Sequence, residues 1–196
     1  MRATGLLLQE AKAAGVKHFC YVSIVGSDRV PLPYYGAKVQ CEAFVRDSSL
    51  SWSIFRATQF HSLVDGVIRE YAKPLLVAVL PVELRFQSID VGEVAAELVQ
   101  SALRCESGVI TEMGGPEVLT LGAMASAWFA IQGKKTAVLA IHIPEQYDLN
   151  VGSGLVADKE TWRLADAYRR GYNTCSGPHI KGLITWSEWL KQHLKL

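Results

Sequence analysis

Apolar residues along the chain alternate between two spacings, and the alternation predicts an ordered series of helices and strands. Leu6, Leu7, Ala11 and Ala14 recur at helical spacing and Gly15 follows where a helix C-cap belongs, so residues 3–14 are read as a helix. "VKHFCYVSIV" is β-branched and aromatic without polar alternation, the pattern of a strand buried on both faces. Pro31 and Pro33 introduce a second helix, on which Tyr34, Ala37, Lys38, Cys41, Phe44 and Val45 recur at helical spacing. "DSSL" ends it and "SWSIFRAT" reads as another strand.

The same reading continues through the second half. "QFHSLVDGVIREYAK" is a helix interrupted by Gly66, and Asp90 with Glu93 reads as a capping box opening "VGEVAAELVQSALR". "GVITEMGG" is a short strand and turn, Thr120 caps a helix in "LGAMASAWFAIQG", and "TAVLAIHI" is a late strand. Residues 144–182 show little pattern beyond a helix around 158–169. Thr185 and Glu188 form a second capping-box pattern ahead of "WSEWLKQHL", where Trp186 and Trp189 are expected in the core. Alternating β and α elements predict an α/β fold with a largely parallel sheet and a less regular C-terminal region at one end of it. No linker or repeat divides the chain, so residues 1–196 are read as a single domain.

Composition narrows the classes. A 49% hydrophobic, 20% charged chain with a formal net charge of +1 is globular and shows no electrostatic signature for nucleic acid or an acidic membrane. The longest apolar run, Leu75 to Val82, is too short to span a bilayer and contains Pro81, and the N-terminal residues lack the pattern of a secretory signal. The four cysteines (Cys20, Cys41, Cys105 and Cys175) are scattered, with no CxxC and no histidine at metal-ligand spacing. Free thiols, no metal and a cytoplasmic location are the expectation.

The chemistry is concentrated in "YVSIVGSDRVPLPYYGAK". Tyr34 precedes Lys38 by four residues, so both project from one face of a helix. A free tyrosine hydroxyl titrates near pH 10 (roughly), and a nearby ammonium group favours the phenolate. Tyr34 is thus a candidate general acid for carbonyl reduction or base for alcohol oxidation, with the Ser23 hydroxyl holding the carbonyl oxygen. The hydride must come from a cofactor, because no side chain supplies one. Tyr-x-x-x-Lys alone is common; the serine-ended strand before it and the strand "SIFRAT" after it give it weight.

With those features, "AGVKHFCYVSIVGSDRVPLPYYGAKVQCEAFVRDSSLSWSIFRATQFH" resembles the middle of atypical short-chain dehydrogenase/reductase proteins of the NmrA-like group. "FQSIDVGEVA" and "GGPEVLTL" resemble later segments of that group, in the same order. The resemblance implies a doubly wound, Rossmann-like parallel sheet in residues 1–115 and a substrate-side α+β region in 116–196. It implies NAD or NADP as cofactor and a small carbonyl or alcohol substrate. Ser23, Tyr34 and Lys38 would be the catalytic set and would also touch the cofactor; Ala57 and Thr58 would lie beside the nicotinamide, and Gln59, Phe60 and His61 beside the substrate. A lone histidine such as His61 is also compatible with a local structural hydrogen bond. The group's glycine-rich turn is missing. "VGSGLVA" matches G-x-G-x-x-A through Gly152, Gly154 and Ala157, but "PEQYDLN" separates it from any strand, and it reads as a loop. The chain is therefore expected to be N-terminally truncated, with its serine-bearing strand left at a sheet edge open to self-association or a companion segment. A non-catalytic NAD(P)-sensing regulator and an inactive fragment are the alternatives to the enzyme.

Overall fold

The computed structural model describes residues 2–71, 77–134, 137–147 and 158–194. A four-stranded parallel sheet forms its frame, in the order β1 (Phe19–Ile24), β2 (Trp52–Ala57), β5 (Val109–Gly114), β8 (Ile180–Lys181). The helices α1 (Arg2–Ala13), α2 (Pro33–Arg46) and α4 (Val91–Arg104) pack against it. Parallel neighbours need crossover connections, and α2 supplies the one between β1 and β2. The register pairs Ser23 with Arg56 and Ile24 with Ala57, which aligns the C-terminal ends of the two strands. Among the described strands β1 has β2 as its single neighbour, so it is an edge of this sheet. The expected α/β class and mostly parallel sheet are both present.

The remaining elements form the second region. Helix α3 (His61–Tyr71) follows β2, and α5 (Leu121–Ile131), α6 (Lys159–Arg169) and α7 (Trp186–His193) come from the C-terminal half. Strands β3 (Val77–Leu80) and β7 (Ala137–Ala140) pair in parallel, and β4 (Arg85–Phe86) pairs antiparallel with β6 (Leu119–Thr120). The largest core cluster lies here, joining Val64, Ile68, Leu80, Met124, Trp128 and Trp186. Trp186 and Trp189 stack with centroids 5.6 Å apart and planes 9° apart, one turn apart on α7. They occupy the expected core.

Three local expectations change. On α1 the buried residue is Leu8, while Leu6 and Leu7 are exposed, because one narrow stripe of the helix meets Val45 and Ile54. On α2 Tyr34 and Phe44 are exposed, and Tyr35, Cys41, Glu42 and Val45 face inward. Asp90 caps α4 by accepting from the N–H groups of Gly92 and Glu93, but the reciprocal half of the box is absent. The Glu93 carboxylate instead accepts from the Leu183 N–H at 2.7 Å and from Ile184, tying α4 to the segment after β8. Thr185 and Glu188 do form both halves of their box. The "VGSGLVA" segment lies outside the described residues. No described helix is long and apolar enough to cross a membrane.

Candidate functional site

Strand β1 carries Ser23 next to its C-terminal end, and the chain then turns sharply. Val25 continues the sheet by donating to the Ala57 carbonyl at 2.9 Å. Gly26 sits at φ +76°, and a Cβ there would lie 2.0 Å from the Tyr172 carbonyl oxygen, so only glycine lets this turn seat against the loop after α6. Arg29 fastens the same contact by donating to the Thr174 carbonyl at 3.0 Å. Pro33 then opens α2, where its missing N–H costs nothing in the first turn.

Three of the expected residues lie on β1 and the first turns of α2. Tyr34 is 60% exposed at the start of α2. One turn on, the Lys38 ammonium donates to the Val22 carbonyl at 2.9 Å, 5.0 Å from the Tyr21 ring centroid and 5.9 Å from that of Tyr34. An ammonium has three donors, and this anchor uses one. Ser23 is buried, and its Oγ has no hydrogen-bond partner among the described residues. A buried polar atom without a partner costs about 1–3 kcal/mol, and Ser27 Oγ in the following turn is in the same state. Ala57 and Thr58 lie beside this strand end through the sheet register, both buried. Thr58 is held on both sides: its N–H donates to the Met113 carbonyl and its hydroxyl to the Gln87 carbonyl.

Gln59 and His61, which the resemblance places beside the substrate, follow the end of β2. Both are buried with their polar atoms engaged. His61 Nε2 faces the Ile184 carbonyl at 3.1 Å and must carry the proton, so Nδ1 accepts from Ser88 Oγ at 2.8 Å. The ring stacks obliquely on Trp186 and Trp189, and burial holds its pKa below the usual histidine value. In this arrangement His61 is a core residue. Phe60 is half-buried and bridges to Ile89.

Gln59 belongs to a buried network that the sequence did not reveal. The Asn173 side-chain amide donates to the Arg85 carbonyl at 2.8 Å and to Gln59 Oε1 at 3.0 Å. Gln59 Nε2 donates to the Tyr35 hydroxyl at 3.0 Å, and that hydroxyl lies 3.1 Å from the Tyr168 hydroxyl. Tyr35 is thereby linked to the segment after β2, to α6 and, through Gln59, to the loop after α6. A second buried polar pair braces the inner face of α2 against β2: Glu42, fully buried, accepts from Arg56 Nε at 2.9 Å and from the Nη2 at 2.7 Å. Nothing marks Glu42 or Asn173 in sequence, since their partners lie 14 and 114 residues away.

Solved structures share this fold. An NADPH-dependent quinone oxidoreductase from Escherichia coli superposes with a TM-score of 0.76 at 16% identity, over 100% of this chain and 74% of its own. Triphenylmethane reductase from Citrobacter sp., complexed with NADP(H), gives 0.70 at 17% identity, over 96% and 69% of the two chains. A nucleoside-diphosphate-sugar epimerase from Staphylococcus aureus gives 0.70 at 13% identity, over 96% and 69%. These neighbours are Rossmann-fold reductases and epimerases, and this chain has their fold. No family model matches the sequence, and no curated protein does.

Proposed function

We propose that this chain is an oxidoreductase-type protein using NAD or NADP and acting on a small carbonyl or alcohol. The observation that carries the reading is the end of β1, where Ser23 Oγ is buried without a partner among the described residues and Lys38 sits between the Val22 carbonyl and the Tyr21 and Tyr34 rings. In this reading Tyr34 exchanges the proton at the substrate oxygen and Ser23 donates a hydrogen bond to that oxygen. Lys38 uses its two remaining donors on the cofactor's ribose, and Ala57 and Thr58 wall the nicotinamide. The cofactor, when bound, supplies the hydride. Gln59 positions Tyr35 rather than touching substrate.

The diphosphate fits less well than the reactive end. A Rossmann diphosphate rests on a glycine-rich turn between a strand and a helix N-terminus, and no described strand-to-helix turn here has that composition. The isolated 196 residues are therefore expected to bind NADH and NADPH more weakly than about micromolar, and the free edge of β1 to pair with a further strand, from a second copy or a companion segment. Exposed Leu6, Leu7 and Val22 leave apolar surface on α1 and on the edge strand itself. Sedimentation of the chain with hydrogen exchange at Phe19 to Ile24 checks the edge.

The central test is turnover. Oxidation of NADH or NADPH by the chain, with a companion segment if one is needed, is followed against an aromatic ketone or quinone. Tyr34→Phe should lower kcat about a hundredfold to ten-thousandfold. A folded Tyr34→Phe protein that binds dinucleotide and keeps full turnover would instead support a non-catalytic sensor.

A further inference from the structure

We propose that Lys38 selects the strand that pairs with the free edge of β1: it turns away a second copy of this chain and favours a companion strand that sets a carboxylate beside it. The selection rests on the pairing proposed for that edge and on no part of the dinucleotide chemistry. Phe19 N–H donates to the Ser51 carbonyl at 2.8 Å, and Val25 N–H to the Ala57 carbonyl at 2.9 Å. Successive residues of a strand send their backbone groups to opposite sides, so Phe19, Tyr21, Ser23 and Val25 address β2. Cys20, Val22 and Ile24 therefore address the free edge, and the Ile24 carbonyl already accepts from Ser27 N–H at 3.2 Å.

The Lys38 ammonium stands at the middle of this edge. It donates to the Val22 carbonyl at 2.9 Å from the α2 side of the sheet, over the Tyr21 ring. That bond alone does not close the edge, because a carbonyl keeps a second lone pair for an incoming N–H. The charge is the obstacle. No ion pair among the described residues involves Lys38, and the one carboxylate of α2, Glu42, is taken by Arg56 and Arg46. Two copies meeting edge to edge form a closed dimer by antiparallel pairing about a two-fold axis. Whether that axis lies at Tyr21, Val22 or Ser23, every register that pairs two or more of the three edge residues includes Val22. Both Lys38 ammoniums then arrive on the same face of the sheet, within a Debye length of about 10 Å, and repel. A companion strand with Asp or Glu on that face gains a cross-strand ion pair instead.

Sedimentation of the full chain tests the exclusion. Lys38→Met should strengthen self-association at least about tenfold over the parent at low salt, and Lys38→Arg, which keeps the charge, should not. The Lys38→Met oligomer should show slower hydrogen exchange at Cys20, Val22 and Ile24. Raising salt from about 50 mM to about 500 mM should strengthen association of the parent and leave Lys38→Met nearly unchanged, since only the parent has this repulsion to screen. Fluorescence anisotropy tests the chosen partner, with two blocked peptides of alternating valine and threonine, one carrying a central glutamate and its twin a lysine. The parent should bind the glutamate peptide at least about fivefold more tightly than the twin, and Lys38→Met should bind the two alike. Circular dichroism and melting establish that each variant is folded. None of these readouts involves dinucleotide or turnover, so the proposed chemistry can fail while the selection stands. Equal self-association of the parent and Lys38→Met would overturn the exclusion. A folded parent that binds neither peptide, or both equally, would overturn the chosen partner.

Discussion

Tyr34 and Tyr35 are adjacent, with ring centroids 6.3 Å apart, yet one is 60% exposed and the other 4% exposed. The division follows from α2: consecutive residues on a helix point about 100° apart, so one ring packs against α6 and the other stays at the surface. Removing each hydroxyl should therefore have opposite signatures. Tyr34→Phe should change unfolding free energy by less than about 0.5 kcal/mol. Tyr35→Phe strands the Gln59 amide in the interior and should cost about 1–3 kcal/mol. Urea denaturation of the two variants separates them, and equal effects would mean the network is not formed.

Glu42 and Arg56 form the second pairing whose loss is expected to be severe. Arg56 also lies 3.7 Å from Asp28 and from Glu112, so it keeps partners if Glu42 is removed. Among the described residues, Glu42, fully buried, retains only Arg46 at 3.5 Å as a charged partner if Arg56 is removed. Arg56→Leu should thus cost about 3–5 kcal/mol, more than Glu42→Leu. The double variant should recover a large part of that loss, since it removes the fully buried carboxylate together with its main partner. A denaturation-based double-mutant cycle reads the coupling directly, and additive costs would contradict the bidentate pair.

The elements that could be read in advance are those whose signal is local. The run from β1 through α2 to β2 is marked by a β-branched stretch, a proline pair and a second apolar strand, and it appears within a few residues of expectation. Thr185 with Glu188 is a cap whose two halves lie within one turn. Where a distant partner decides, pattern misleads. Glu93 has the spacing of a capping box, but backbone donors 90 residues on take its carboxylate. Strands β4, β6 and β8 have two residues each and exist only through their pairing partners, so periodicity cannot find them. The same holds for the site. Tyr34 and Lys38 are legible from a four-residue spacing, but that spacing does not say that Tyr35 is the buried member or that Asn173 holds it in place.

His61 makes stability depend on pH in a known direction. Its folded pKa is depressed by burial, so between that value and the usual value of about 6.5 the unfolded state binds a proton that the folded state does not. The contribution of neutral His61 is complete above about pH 7 and is lost as pH falls through the unfolded pKa toward the folded one, with a limiting slope of about 1.4 kcal/mol per pH unit. His61→Gln should flatten stability over pH 5–7 (roughly) relative to the parent, whatever its absolute cost. Parallel curves for the two proteins would mean that His61 titrates normally in the folded chain.

Two glycine-to-alanine substitutions should move stability in opposite directions, because one glycine is required by its surroundings and the other is not. At Gly66, inside α3, an added Cβ meets nothing within 4 Å, and alanine should stabilise the helix by about 0.5–1 kcal/mol. At Gly26 the φ of +76° is unfavourable for any L side chain, and the Cβ would overlap the Tyr172 carbonyl at 2.0 Å. Left-handed strain alone costs about 1–3 kcal/mol, and a contact with backbone on both sides has no flexible side chain to yield. Gly26→Ala should therefore cost at least about 3 kcal/mol, or push the loop after α6 away from the end of β1. In the second case Asn173 follows Tyr172, its bond to Gln59 breaks, and hydrogen exchange should rise at Tyr172 to Thr174 before the protein unfolds. A Gly26→Ala protein as stable as the parent, with that loop still protected, would show that the turn after β1 does not seat where Ser23 and Tyr34 need it to.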